Sequence, residues 1–473
     1  MRRRLAVTAA AAVAAALAAP QAALAHGIVG KQDLPIPRWL FAWAAAVVLI
    51  ASFVGLASLW PRPRLERVRA RVLLRSPAVL EWLCGAVGIA VYGFIVYAGF
   101  AGTQTATANI VPTWVFVVFW VGIPFLSLLF GDVFRPFNPW RAFGRASGWV
   151  LRRAAGGRMP EPIAYPDWLG RWPAAFGVLA FAWVELVYVN RDDPSTLAVL
   201  IVAYTVFQLV GMSLFGEERW TRNGDAFAVY FGIFARLSPL RWADRALGVR
   251  TPLGGAPALE PRAGTVALLC TMIGTTSFDG FSNSTLWSGP NDMSQHLTNT
   301  FVKLGLHQEA AVQGAYTVGL LMMVALIAIV FWIGIAGMRT VGGGESAPAL
   351  ARRFVHSLIP IAAAYVVAHY FSLVAYQGQA MGYLISDPLG HGANWFGTAS
   401  ATIDYNVVSA TGVWYVQVAA LVIGHVCGLV LAHDRALVMW SRPSQAMRSQ
   451  YWMLAVMVGF TSLGLWILSA SAQ

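Results

Sequence analysis

The run Ala315-Tyr316-Thr317-Val318-Gly319-Leu320-Leu321-Met322-Met323-Val324-Ala325-Leu326-Ile327-Ala328-Ile329-Val330-Phe331-Trp332-Ile333-Gly334-Ile335-Ala336-Gly337-Met338 holds no charge and ends on Arg339. Crossing a hydrocarbon layer of roughly 30 Å takes about 20 helical residues at 1.5 Å each, so this run is long enough to span a membrane. Runs of the same kind fall near 38–60, 82–102, 110–130, 169–189, 196–216, 263–282, 315–338, 354–377, 411–432 and 451–470. In lipid the backbone must satisfy its own hydrogen bonds, and none of these runs alternates polar with apolar residues as a barrel strand does. The expected fold class is therefore all-α, a polytopic bundle of about ten transmembrane helices.

The composition agrees. At 58% hydrophobic and 11% charged residues, with a mean hydropathy of +0.61, the chain is too apolar for a soluble globular protein. Arg2, Arg3 and Arg4 precede an apolar stretch from Leu5 to Ala19 and the small-x-small triplet Ala23-Leu24-Ala25, the layout of a secretory leader. Residues 1–25 thus read as a signal peptide and 26–473 as a single transmembrane domain whose mature first residue is His26. A cleaved leader puts His26 outside the cell membrane, and ten crossings return the C-terminus to the outside. The arginines fit this orientation. Predicted inner connections carry Arg62, Arg64, Arg67 and Arg69, then Arg135, Arg141 and Arg145, then Arg219, Arg222 and Arg241, then Arg352 and Arg353, and finally Arg435 and Arg442. Outer connections hold Asp192, Asp193, Asp292, Glu309, Asp387 and Asp404 instead. Sorting to one side also explains the formal charge of +12, so no nucleic-acid partner is implied; the partner is the lipid bilayer. Cys84, Cys270 and Cys427 lack the paired spacing of a disulfide or metal site.

A faint internal echo runs along the inner side. Phe134, Pro139, Arg141, Arg145, Ala146 and Gly148 return as Phe234, Pro239, Arg241, Arg245, Ala246 and Gly248, and Asp244-Arg245-Ala246-Leu247 returns as Asp434-Arg435-Ala436-Leu437. Arginines four apart share a helical face, so each segment reads as a short interfacial helix with its arginines toward lipid phosphates. The stretch from Asp225 to Leu240 is too short to cross and is expected to dip into the bilayer at most.

Ionisable groups inside a membrane are costly, which makes each one a candidate site. Asp279 lies in Thr275-Thr276-Ser277-Phe278-Asp279-Gly280-Phe281-Ser282-Asn283, a polar run expected to break the sixth span. Glu185 and His369 fall in the outer parts of the fourth and eighth spans, and His425 deeper in the ninth. On the helical rise His369 and His425 differ by about 15 Å in height, which disfavours a haem gripped by both. His26, His296, His307 and His391 are expected outside, above Asp279 and His369. Histidine with carboxylate can hold zinc, or copper when nitrogen dominates, and activate a bound water; His26, Asp279 and His369 form that candidate metal set. Asp279 and His369 are the candidate catalytic pair. The histidines lack HxH or HxxxH spacing, so any such site must be assembled by the fold. The free amine and ring of a mature His26 would separately suit copper.

Several motifs are also familiar as a set: His26-Gly27-Ile28-Val29-Gly30-Lys31 through Trp39-Leu40, Gly131-Asp132-x-Phe134-Arg135-Pro136-Phe137-Asn138-Pro139, Ser277-Phe278-Asp279-Gly280, Ser386-Asp387-Pro388-Leu389-Gly390, and Gly424-His425-x-x-Gly428 through Ala432-His433-Asp434-Arg435. Together they resemble bacterial integral membrane proteins labelled fenitrothion hydrolase. The resemblance implies cleavage of an aryl phosphorothioate ester by a membrane complex with more than one subunit. Two other readings stand beside it: a copper-handling membrane protein that uses His26, and a small-molecule transporter or membrane-complex subunit.

Overall fold

A computed structural model describes residues 38–66, 68–154, 161–243, 245–289, 292–341, 345–440 and 442–470. The leader and His26 lie outside the described residues. The described residues are mostly helical, at 71%. In order the main elements are α1 (Arg38–Leu59), β1 (Arg71–Arg75), α2 (Ala78–Ala101), α3 (Ile110–Phe130), α4 (Pro139–Ala154), α5 (Trp172–Leu186), α6 (Pro194–Phe215) and α7 (Glu217–Asn223). They continue as α8 (Ala226–Phe234), β2 (Leu240–Ala243), β3 (Ala246–Val249), α9 (Thr265–Ser282), α10 (Met293–Lys303), α11 (Gln308–Arg339), α12 (Ala347–Phe354), α13 (Ile359–Gln377), α14 (Ala410–Met439) and α15 (Tyr451–Ala470).

Each of the ten apolar runs is helical. Among the described residues, six helical stretches are long and apolar enough to cross a membrane: α2, α3, α6, α11, the stretch Ala347–Leu384 that contains α13, and α14. Proline starts several of the helices, as Pro173 in α5, Pro194 in α6 and Pro360 in α13, where a missing N–H removes no helical bond. Side chains close other ends. Asn109 accepts from Val111 N at 3.0 Å and donates to Ala98 O and Thr103 O, which ties α2 to α3. Within α3, Pro124 removes a donor and crowds the preceding turn, and the residues Trp114–Gly122 just before it widen into a π-helix.

The helices share two ends. One gathers the arginine-rich connections, where Arg141 bridges Glu81, Glu217 and Glu218 and Arg435 pairs with Glu66. The other gathers the arginine-poor ones, as where Gln104 receives Ser195 N. α8 is buried almost throughout. At its start Asp225 is bonded to Asn138 and to Tyr204, midway along α6, and at its end the Ala235 carbonyl accepts from Arg250.

Two expectations are corrected. The segment with Arg241 and Arg245 is not an interfacial helix but the hairpin β2–β3, which joins β1 in an antiparallel sheet of order β1-β3-β2. Arg245 there has φ +56°, a value outside the right-handed helical region, and the paired strands satisfy the backbone that a helix would otherwise satisfy alone. Its counterpart Arg141–Arg145 does lie on a helix, α4. The polar run in the sixth span does not break its helix either. The hydroxyls of Thr275, Thr276 and Ser277 donate to the carbonyls of Thr271, Met272 and Ile273, so they are satisfied without leaving the helix, and α9 stays regular to Ser282.

α13 and α14 lie in intimate contact. A Cβ on Gly424 would overlap Ala364 and the Pro360 carbonyl, and one on Gly428 would crowd Ser357 O. These glycines set the antiparallel register from which the histidine positions follow.

Candidate functional site

Asp279 and His369 meet inside the bundle. α9 carries the carboxylate three residues before its end and α13 carries the imidazole, with Asp279 Oδ2 2.8 Å from His369 Nε2. The approach is short but not in line with the ring N–H direction. Both side chains are buried, at 1% and 7% exposure. The Tyr370 hydroxyl lies close to the same carboxylate, and its ring stands edge-on to His369 at 4.7 Å.

Three further elements complete the cluster. Glu185, near the end of α5, is buried and close enough to Asp279 for the two carboxylates to interact electrostatically. The Trp120 indole of α3 lies close to it without forming a well-aligned hydrogen bond. Trp120 in turn stacks on Tyr230 of α8 at 4.5 Å and 10°, so this short helix also reaches the centre. A bare charge moved into such surroundings costs several kcal/mol.

A cavity of about 20 Å³ lies against His369, with Thr276, Ser277 and Tyr365 among its walls. Roughly 10–15 Å³ is the space of one water, although most of the surface lining this cavity is carbon.

The other candidates lie apart from this pair. His425 is fully buried on α14, with Nδ1 2.7 Å from Leu421 O and its ring 6.2 Å from that of Tyr365. The glycine register places it roughly seven to eight residues from the level of His369, about 11 Å along the axis, so the two rings are not level. His433 is held by Gln450 and the Trp60 carbonyl, and His356 by the Arg353 carbonyl. His296, His307 and His391 are exposed. Among the described residues no group of three His, Cys, Asp or Glu side chains could hold a metal ion. The three-ligand set of His26, Asp279 and His369 is thus represented by two of its members, and His26 lies outside the described residues.

Sequence reasoning missed Tyr370, Trp120 and Tyr230. Tyr370 adjoins His369 in the chain, which is a usable signal; Trp120 and Tyr230 carried none beyond being aromatic in an aromatic-rich chain. It also missed what Asp434 does. That carboxylate accepts Trp60 Nε1 at 3.0 Å and the backbone N–H groups of Arg64, Leu65 and Glu66 at 2.6, 2.8 and 3.1 Å, pinning the connection after α1 to α14. Asp225 acts similarly on α8, accepting Phe227 N, Ala228 N, Asn138 and Tyr204. Comparison of the chain with family models, with curated proteins and with solved structures finds no match.

Proposed function

We propose that the chain is a ten-pass cell-membrane protein, trimmed of its leader and with both mature ends outside, that moves a small molecule coupled to protons exchanged at Asp279 and His369. The 2.8 Å contact between these side chains carries the reading. It joins two titratable groups in the apolar interior, with Tyr370 and Glu185 as further titratable neighbours, and chains of buried acidic and histidine side chains are how membrane proteins relay protons. The ten helices and the segregation of arginine to one end support the topology. Infrared difference titration of the reconstituted protein tests the centre without knowledge of the substrate. A carboxyl band and a histidine ring band are expected to titrate together, and Asp279→Asn or His369→Gln to abolish both. Bands unchanged in the two variants would end the reading.

One observation favours a second reading. The cavity beside His369 has room for a water molecule next to an imidazole held by a carboxylate, which is the arrangement of a general base with its orienting group. Such a centre suits ester hydrolysis, and the resemblance to fenitrothion hydrolases names an aryl phosphorothioate as substrate and a second membrane subunit as partner. Purified protein incubated with fenitrothion tests it: phenol release that Asp279→Asn and His369→Ala abolish supports hydrolysis, and full activity in both variants removes it. Zinc or copper at Asp279 and His369 would draw its third ligand from His26, so metal analysis on protein of determined N-terminus belongs with that assay.

A further inference from the structure

α5 and α6 are consecutive and joined by residues 187–193, yet each packs on other helices, α5 on α8 and α9, α6 on α2 and α7. Between them opens a crevice of about 1070 Å³. Its floor comes from the π-helical part of α3 and from α8, with Phe119 edge-on to Phe227 at 4.8 Å. Among its lining, Ala180 of α5 and Ala203 of α6 are exposed, and in a bilayer these faces meet the hydrocarbon.

The lining turns its polar atoms away. The Tyr92 hydroxyl and the Trp140 indole are both spent on Thr205, the Tyr204 hydroxyl on Asp225 and the Trp220 indole on Gln208. What these side chains present to the crevice is carbon, so a ligand that needs hydrogen bonds along its body would lose them on entry without replacement. An apolar molecule loses nothing, and the volume matches the upper range of ligand pockets, roughly 300–1,000 Å³. The inner wall backs onto the side chains around Glu185. Phe181 lines the crevice and packs on Trp120 at 4.4 Å between ring centres, and Val184 lines it one residue before Glu185.

We propose that this crevice binds a lipophilic small molecule, drawn laterally from the hydrocarbon layer, and that this molecule is the substrate served by the Asp279–His369 centre. The second half of the proposal rests on the reading of that centre given above; the binding itself does not. The probe is N-phenyl-1-naphthylamine, whose fluorescence rises in apolar sites, titrated against the full chain in detergent. The double variant Ala180→Trp/Ala203→Trp fills the exposed part of the lining and is expected to weaken probe binding at least tenfold, with thermal unfolding unchanged or raised. Asp279→Asn and His369→Gln are expected to keep probe affinity while losing the titrating infrared bands, so failure of the crevice and failure of the centre read differently. Equal probe binding in the filled variant and the unaltered chain overturns the proposal. So does one tightly held phospholipid per chain that the filled variant releases, because the crevice is then a structural lipid site.

Discussion

Asp434 at the arginine-rich end and Asp279 toward the opposite end are buried alike, at 0% and 1% exposure, but their partners differ in kind. Asp434 takes an indole and three backbone N–H groups, none of which gives up its proton at ordinary pH. Asp279 faces an imidazole and a phenol, with a second carboxylate nearby. A carboxylate among fixed donors is a fastening, because its charge is stabilised only while the chain around it keeps its shape. A carboxylate among titratable groups can trade protons with them while the backbone stays in place. Burial alone does not separate the two roles; the identity of the neighbours does.

The largest effect that could break this comparison is on folding. Asp434→Ala would strand four donors, at roughly 1–3 kcal/mol for each that water cannot reach. A loss of about 4 kcal/mol or more is expected, a large share of a typical total of roughly 5–15 kcal/mol. The yield of monodisperse protein and its melting temperature report it, and unaltered stability would show that Asp434 fastens nothing. Asp279→Asn and His369→Gln should do the reverse. Both are close in shape to the residues they replace, so stability should move by less than about 2 kcal/mol. Proton exchange or turnover should fall by at least about 100-fold, equivalent to roughly 2.7 kcal/mol. Variants at Asp279 that unfold the protein while sparing its activity would collapse the distinction.

The same contrast explains what could be read in the chain beforehand. Long uncharged runs announce helices locally, so all ten were legible without tertiary knowledge. Asp279, Glu185 and His369 stood out because ionisable groups are rare in such runs, but nothing local says that residues 279 and 369 touch. Asp434 was harder still, since its backbone partners lie about 370 positions earlier in the chain. The β2–β3 hairpin misled for a related reason. Arg241 and Arg245 imitate one face of a helix, while the sheet is completed by Arg71–Arg75 from far upstream. Spacing reports local periodicity, and a strand paired with a distant partner leaves little trace in it.

A smaller change sharpens the active side of the comparison. Tyr370→Phe removes the hydroxyl that lies beside Asp279 and leaves the ring that packs on His369. One hydrogen bond contributes about 0.5–1.5 kcal/mol, so proton exchange should slow by roughly 2- to 10-fold with the melting temperature nearly unchanged. A loss as large as that of Asp279→Asn would instead make Tyr370 an obligatory step in the proton route.

The smallest effect belongs to the fastening side and is read from its pH dependence. Burial pushes the Glu218 carboxyl up, but Arg135 and Arg141 beside it more than offset this and hold it below the ordinary glutamate value. The Arg135 contact is 2.8 Å. A lowered folded value means that the stabilisation is present in full above the unfolded value of about 4.3, and is lost as pH falls through the folded one. Glu217 next to it is raised, chiefly by burial, and works in the opposite sense, so the comparison must be between Glu218→Gln and the unaltered chain and not across pH alone. Because the Glu218 side chain is 44% exposed, solvent screens the pair, and the difference at neutral pH should stay within about 1 kcal/mol. It should shrink toward zero once the pH has fallen below the lowered folded value. A difference that keeps its size in acid would mean that Glu218 contributes through packing and not through charge, and that ion pairs at this end fasten the chain less than the hydrogen bonds of Asp434 do.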